Sequence, residues 1–345
     1  APVIGADVTN MDDLKNLFTE SMKHFGGGID FILHSIGMSI NLRKGKGYTE
    51  IDYGFNQKTF DISAMSLHRV LRTAWDMDAL NEWGSVVALS YIAAQRVFPD
   101  YNEMADAKAM VKAMSDKNLP FMVHENFRFQ TPMRKIKEII DSGAIGRPFF
   151  GRICFRTAHD VYSAQSWLVE SERMIIVDVA VHLFDLARYF IGEPNTIFTS
   201  AHRVNPIIKG EDSATILMHM EDATCIVDAS YETRSDHSTY PQTFVIIEGT
   251  KGSITLGADY QLQVVSGESV SKEVIEIPNH GWTSEPWNGI QDSVVNVNKH
   301  WIECLKTGRT PETSGEDTLK LLDITLGAYE SAESGQVFSV GSLLK

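Results

Sequence analysis

The stretch "YNEMADAKAMVKAMSDKNLPFMVHENFRF", residues 101–129, joins two styles of chain. Up to about residue 116 the pattern is helical, with Ala105 and Ala109 four apart and Val111 or Met110 still available to a packing stripe, and "PFMV" then reads as a short buried strand. Upstream, short apolar strands alternate with long helices: "VIGADV", "MDDLKNLFTESMKHF", "IDFILHSIG", a helix over "YGFNQKTFDISAMSLHRVLRTAWDM", then "GSVVALS". Strand, helix, strand at this spacing predicts a parallel sheet with crossover helices. From about 145 the pattern changes to strands parted by turn residues, "RPFFGRICFRTA", "NTIFTSAHRV", "SATILMHM", "ATCIVDASYE", "TFVIIEG", "GSITL", "QLQVVSG" and "KEVIEIP", an antiparallel meander. Helices over about 287–306 and 315–334 close the chain. The quoted segment is expected to hold one unbroken helix over 101–116 and a strand over 120–124 parallel to 85–90.

At 345 residues the chain is long enough for two domains. Hydrophobic residues are 43% and charged residues 22%, an ordinary globular balance. A net charge of -14 repels phosphate backbones and anionic lipid, which argues against nucleic acid and membrane partners. Cys154, Cys225 and Cys304 stand far apart, without disulfide or zinc-type spacing, so a reducing, cytoplasmic setting and no metal are expected. No apolar run reaches the roughly 18 residues a spanning helix needs, and "APVIGADVTN" lacks the regions of a secretory signal. That start has no Met and enters in mid-strand, so residues upstream of Ala1 are expected.

Tyr101 and Lys108 are seven apart on the predicted helix, about two turns and roughly 10 Å of rise, so both leave from one face. A tyrosine hydroxyl can donate to a developing oxyanion, and an ammonium nearby lowers its pKa while reaching ribose hydroxyls. Two solvated helix residues would show the same spacing. Tyr91 lies ten residues earlier, just past "GSVVALS", where a parallel strand would deliver it to a cofactor crevice. With "ADV" (Asp7, Val8), "HSIG" (Ser35, Ile36 and Gly37 within it) and "LSYIAAQRVFPDYNEMADAK", residues 1–108 resemble the enoyl-acyl-carrier-protein reductases of the short-chain dehydrogenases. The resemblance implies catalytic roles for Tyr91, Tyr101 and Lys108, and cofactor contacts at Asp7, Val8, Ser35, Ile36, Gly37 and Lys108. A ketone-reducing relative would carry serine near Ala88, which favours the enoyl branch. "GGG" at 26–28 follows a helix and precedes a strand, so it reads as a helix-ending turn rather than a phosphate loop.

The second constellation lies in "RMIIVDVAVHLFDLARYFIGEP", which reads as a helix ended by "GEP". Asp178 and His182 are four apart and share a face, with Asp185 three further on. An imidazole held by a carboxylate is a competent base for a hydroxyl proton. A buried histidine satisfied by a helix carboxylate is the plainer alternative. Residues 105–345, through "AMVKAMSDKNLPFMVHENFRFQTPMRKIKEIIDSGAIGRPFFGRI", the 178–194 segment, "IEGTKGSITL" and "ETSGEDTLKLLDITLGAYESAESG", are similar to the oxidoreductases named for glucose-fructose oxidoreductase, inositol dehydrogenase and MocA. That resemblance implies substrate hydroxyl contacts at Asp178 and His182, and places Glu125, Asn126 and Arg128 beside the nicotinamide.

The chain therefore reads as a composite, spliced inside a helix that keeps its phase. The expected fold is α/β: a partial Rossmann-like parallel sheet over 1–124, without a glycine-rich turn, then an α+β domain over 125–345 with a large, mainly antiparallel sheet. The expected function is oxidation of a sugar, polyol or related hydroxyl compound with NAD or NADP, in a homodimer or homotetramer joined through the carboxyl-terminal sheet. Enoyl thioester reduction through the first constellation and a catalytically silent binding or assembly protein are the alternatives. A pyrophosphate is ordinarily held by backbone amides at a helix amino end, each charge-assisted bond contributing on the order of 1.5–3 kcal/mol. Without two or three of them a micromolar Kd moves toward the millimolar range, since about 1.4 kcal/mol is tenfold. Isothermal titration of the 345-residue chain is expected to show weak NAD or NADP binding; low-micromolar binding would mean that another segment supplies the anion site.

Overall fold

The first helix, α1 (Met11–Phe25), starts where the sequence supplies a cap: the Asn10 side chain accepts from Asp12 N at 2.9 Å. It stops at Gly26, which adopts the left-handed φ of 73° that a residue with a Cβ resists, so "GGG" is a helix-ending turn as expected. The computed structural model describes residues 3–36, 53–88, 111–112, 114–116, 119–234 and 240–344. The chain divides into two compact units, Ala1–Ala94 and Gln95–Lys345.

In the first unit, β1 (Ile29–His34) and β2 (Leu80–Ala88) pair in parallel, with Phe31 opposite Ser85 and His34 opposite Ala88. Between them run α2 (Tyr53–Phe60), a π-helical turn (Asp61–Met65) and α3 (Ser66–Asp76), so the single helix expected over 53–77 is widened at its centre. Leu14 and Phe18 of α1 pack with Ile29, Val70, Ala74 and Ala79 as a small core. Residues 3–8, expected as a strand, are not one. Asp7 there donates its N–H to Asp13 Oδ2 and its carbonyl accepts from Asn10 N, each at 2.9 Å, which commits the segment to the turn that opens α1.

In the second unit Val111, Lys112, Met114 and Ser115 are helical, while residues 101–110 lie outside the described residues. The strand expected over 120–124 and parallel to 85–90 is absent. Met122 instead bridges Ser314 in antiparallel fashion, and Val123 donates to Thr313 O at 2.8 Å, so these backbone groups are satisfied by the segment leading into the last helix. After a 3₁₀ turn (Phe127–Phe129) come α4 (Thr131–Asp141), β3 (Pro148–Arg156), the short α5 (Trp167–Glu170), a π-helical turn (Ile176–Ala180) and α6 (Val181–Phe190). Then follow β4 (Thr196–His202), β5 (Ser213–His219), β6 (Thr224–Ser230), β7 (Phe244–Gly249), β8 (Gly252–Leu256), β9 (Gln261–Ser266), β10 (Ser269–Val274), α7 (Asn288–Thr307), α8 (Gly315–Ser334) and β11 (Phe338–Ser339).

The nine strands lie in the order β10-β9-β8-β7-β3-β6-β5-β4-β11. The expected meander is corrected at its centre, where β3 enters between β6 and β7, parallel to the first and antiparallel to the second. The last long strand also starts earlier than "KEVIEIP", because 269–274 pairs back on β9 through a tight turn. Across the sheet, Ile197, Met218, Cys225, Gly151, Ile247 and Ile254 form one row facing the helices. Phe198, Leu217, Ile226, Arg152, Ile246 and Thr255 form the row of the other face. Gly151 stands in the helix-facing row because a Cβ there would lie 2.3 Å from Ile191 Cδ1, at the end of α6.

The turn between β7 and β8 pairs Gly249 with Gly252, and a Cβ on Gly252 would lie 1.9 Å from the Val265 carbonyl oxygen. Backbone cannot yield as a flexible side chain can. Gly252→Ala is expected to cost about 1–3 kcal/mol, read as a lowered Tm, whereas Gly281→Ala, with nothing within 4 Å, stays within about 0.5 kcal/mol of the parent. Equal melting of the two variants would remove the steric account.

Candidate active site

The site is built on the loop that follows Met122. Thr313 Oγ1 donates to the Val123 carbonyl at 2.7 Å, and Glu125 N donates to the same oxygen at 2.8 Å, turning the chain inward. Glu125 is buried, and its carboxylate accepts from Phe127 N at 3.2 Å. Both its oxygens meet His182 Nδ1, at 2.7 and 2.8 Å. Phe127 stacks on the imidazole, with centroids 4.1 Å apart and planes 5° from parallel. The ring is thus fixed along its edge by a carboxylate and across its face by an aromatic.

The spacing of Asp178 and His182 suggests that the aspartate holds the imidazole. The structure gives that role to Glu125, which is 57 residues away in sequence. Asp178 lies in the π-helical turn, where the wider turn departs from the α-helical register that a four-residue spacing assumes. Its Oδ2 accepts from the Tyr231 hydroxyl at the end of β6. Asp185 is fully buried and receives the Arg128 guanidinium, with Nε to Oδ2 at 2.7 Å and a second bond from Nη2 to Oδ1. Asn126 donates its amide to Ser293 Oγ at 2.7 Å. Of the residues expected beside the nicotinamide, Glu125 is thus engaged with His182, Asn126 with α7 and Arg128 with α6.

In the first unit, Asp7 accepts from the Thr9 N–H and hydroxyl at 2.8 and 2.7 Å, which hold its carboxyl below the usual range. Val8 is half-buried in the same turn; Ser35 is exposed and Ile36 half-buried directly after β1. Gly37, Tyr91, Tyr101 and Lys108 lie outside the described residues. Among the described residues no group of three His, Cys, Asp or Glu is placed to hold a metal ion, and no helix is long and apolar enough to cross a membrane.

Charge follows packing. Burial pushes the Glu125 carboxyl up, but His182, the Phe127 amide and Arg128 outweigh it, so the group stays below its ordinary value. Burial pulls Arg128 down, yet Asp185, Asp317 and Glu312 more than reverse this and keep the guanidinium charged. Tyr231 and the Glu125–His182 partnership leave no mark on sequence periodicity. "HENFR" does draw attention to Glu125, but only as a cofactor neighbour.

Comparison with known proteins divides the chain along the same line as its two patterns. Residues 1–118 match the family described as enoyl-(acyl carrier protein) reductase, and residues 133–255 match the GFO/IDH/MocA C-terminal domain. A D-apiose dehydrogenase of Rhizobium rhizogenes is 43% identical over 247 residues, covering 71% of this chain and 72% of that protein. An NADH enoyl-acyl-carrier-protein reductase of Rickettsia bellii is 40% identical over 108 residues, 31% of this chain and 40% of that one. The structure of an oxidoreductase from Agrobacterium radiobacter in complex with NAD+, L-tartaric acid and magnesium superposes with a TM-score of 0.74 at 33% identity, covering 97% of each chain.

A carboxyl with a folded-state pKa below its unfolded value of about 4.3 adds stability that is complete above that value and lost as pH falls through the folded pKa. Glu125 has this sign. Thermal melts between about pH 5 and 3 are expected to fall less steeply for Glu125→Gln than for the parent; identical slopes would show that the carboxylate is not held by the folded state.

Proposed function

Because the chain belongs to the Gfo/Idh/MocA family of oxidoreductases, we propose that it oxidises a hydroxyl carbon of a sugar or polyol, with NAD or NADP as acceptor and His182 as base. The observation that carries this reading is an imidazole gripped by a buried carboxylate, one turn after an aspartate that is itself held by a tyrosine. Alcohol oxidation takes a proton from oxygen and a hydride from the same carbon. When bound, the nicotinamide ring supplies the hydride acceptor. With Nδ1–H donated to Glu125, the tautomer makes Nε2 the basic nitrogen of His182, which takes the hydroxyl proton. Glu125 then faces the imidazolium and stabilises it. Asp178 accepts a hydrogen bond from a substrate hydroxyl and orients it.

Dinucleotide contacts fall to Asp7, Val8, Ser35 and Ile36. Exposed Ser35 directly follows the carboxyl end of a parallel strand, the position at which such sheets meet a nucleotide ribose. Residues 1–124 are read as the dinucleotide domain and 125–345 as the domain for substrate and self-association. Phe198, Leu217 and Ile246 are 40%, 46% and 37% exposed in one cross-strand row, a surface suited to joining two copies into a dimer or tetramer. Cys154, Cys225 and Cys304 are free thiols, in keeping with the cytoplasm.

The test is turnover on a sugar and polyol panel that includes D-apiose, followed by the absorbance of reduced nicotinamide. His182→Ala is expected to lower kcat by about 10²–10⁴-fold with an unchanged circular dichroism spectrum. Oxidation at the parental rate by that variant would end the assignment of His182 as base.

A further inference from the structure

Asp178 sits at the foot of a group of aromatic rings that neither the fold nor the proton transfer fully uses. Strands β3 and β6 are parallel, so their carboxyl ends reach the same edge of the sheet. The two chains stay bonded past their ends, with Thr157 N donating to Ser230 O at 2.8 Å and Thr233 N to Thr157 O at 2.9 Å. Phe155 and Tyr231 stand at these two ends, edge to face, with centroids 6.3 Å apart. Tyr240 meets Phe155 at 6.0 Å in the same manner. His159 stacks on Tyr240 at 4.1 Å with planes 9° apart, and Trp287, just before α7, meets Tyr240 at 5.2 Å and 88°.

Burial is graded along this cluster. Phe155 and Tyr231 are 4% and 5% exposed and belong to the core, but Trp287 is 38% exposed and His159 is exposed as well. A packing role accounts for the first pair and leaves the second unexplained. The Tyr240 phenol is pushed up to about 12 by burial and by the charge of Asp178, so it remains a hydroxyl donor throughout the neutral range.

We propose that His159, Tyr240 and Trp287 form a recognition wall for a closed-ring sugar, which makes them the specificity-determining residues of the site. This rests on the reading of His182 and Asp178 as the reacting pair. A furanose or pyranose carries its C–H bonds on the ring faces and its hydroxyls at the rim. The electron-rich faces of aromatic rings receive those C–H bonds, and hydroxyls at the rim reach Asp178 and the Tyr240 phenol. An open-chain polyol presents no such flat apolar face. A hydroxy acid such as tartrate brings carboxylates toward Asp178 and Glu125, which repel them.

Equilibrium binding to the full chain, by titration calorimetry and saturation-transfer NMR, separates these ligands without turnover. The probes are methyl furanosides and methyl pyranosides, sorbitol and tartrate. The parent is expected to bind methyl glycosides more tightly than the two linear compounds. Trp287→Ala and His159→Ala each weaken glycoside binding about three- to tenfold and leave sorbitol and tartrate unchanged. Tyr240→Phe, which keeps the ring, weakens glycosides less than Trp287→Ala does. Tm measured beside each titration shows that the fold persists. No glycoside binding by the parent, or equal losses for ring and linear ligands, overturns the wall. The two readings fail separately: ring-selective binding with full turnover in His182→Ala overturns the base and not the wall, and polyol oxidation without glycoside binding does the reverse.

Discussion

The guanidinium of Arg128 is almost wholly withdrawn from water, and the arrangement of the groups around it follows from that constraint. Its side chain is 7% exposed and Asp185 is fully buried, so neither charge is tolerable without an opposite partner, and each is the other's nearest. Arg188 repeats the arrangement, pairing with Asp317 and with Glu193. Removing one partner from a buried pair costs about 3–5 kcal/mol, because the remaining charge is stranded. The pairing therefore fixes register. Glu125 precedes Arg128 by three residues and His182 precedes Asp185 by three. Locking Arg128 to Asp185 consequently brings Glu125 to His182, and the contact that defines the site is inherited from the ion pair beside it.

Much of this architecture was legible in the letters, and the parts that were not share a cause. The two closing helices, the strands from β3 to β9 and the cap at Gly26 follow from periodicity and turn chemistry, which act over a few residues. Asp178 and His182 could be singled out for the same reason. Long-range partnership was not legible. Spacing linked His182 to Asp178, but a π-helical turn intervenes and the imidazole is held by Glu125, far off in sequence. The segment 120–124 is apolar enough for a strand, yet its backbone finds Ser314 and Thr313 instead. Pattern shows that a segment wants a partner and cannot say which.

Among the described residues the sheet of the amino-terminal unit has two parallel strands. Parallel strands are ordinarily covered on both faces, but Phe31 and Leu33 of β1 are 51% and 52% exposed. The opposite side is closed by Leu14, Phe18, Val70 and Ala74. Its charges are also distinctive: Asp12 and Asp13 occupy the first turn of α1, where they complement the helix dipole and leave that terminus poorly suited to a phosphate.

The insertion of β3 between β6 and β7 has a meaning in time as well as in space. As the chain leaves the ribosome, β3 emerges before any other strand of its sheet, yet both neighbours it will bond are made much later: Ile153 pairs with Val227 on one side and Val245 on the other. Such distant pairings make folding slow, because chain entropy must be surrendered before the contacts exist to offset it. Hairpins such as β7–β8 and β9–β10 can form locally while the middle of the sheet is still open. During that interval the apolar edge of β3 is the segment most in need of protection from other nascent chains. A truncated product that ended before Val227 would carry that strand without a mate, and its fate would be set by chaperones rather than by its own fold.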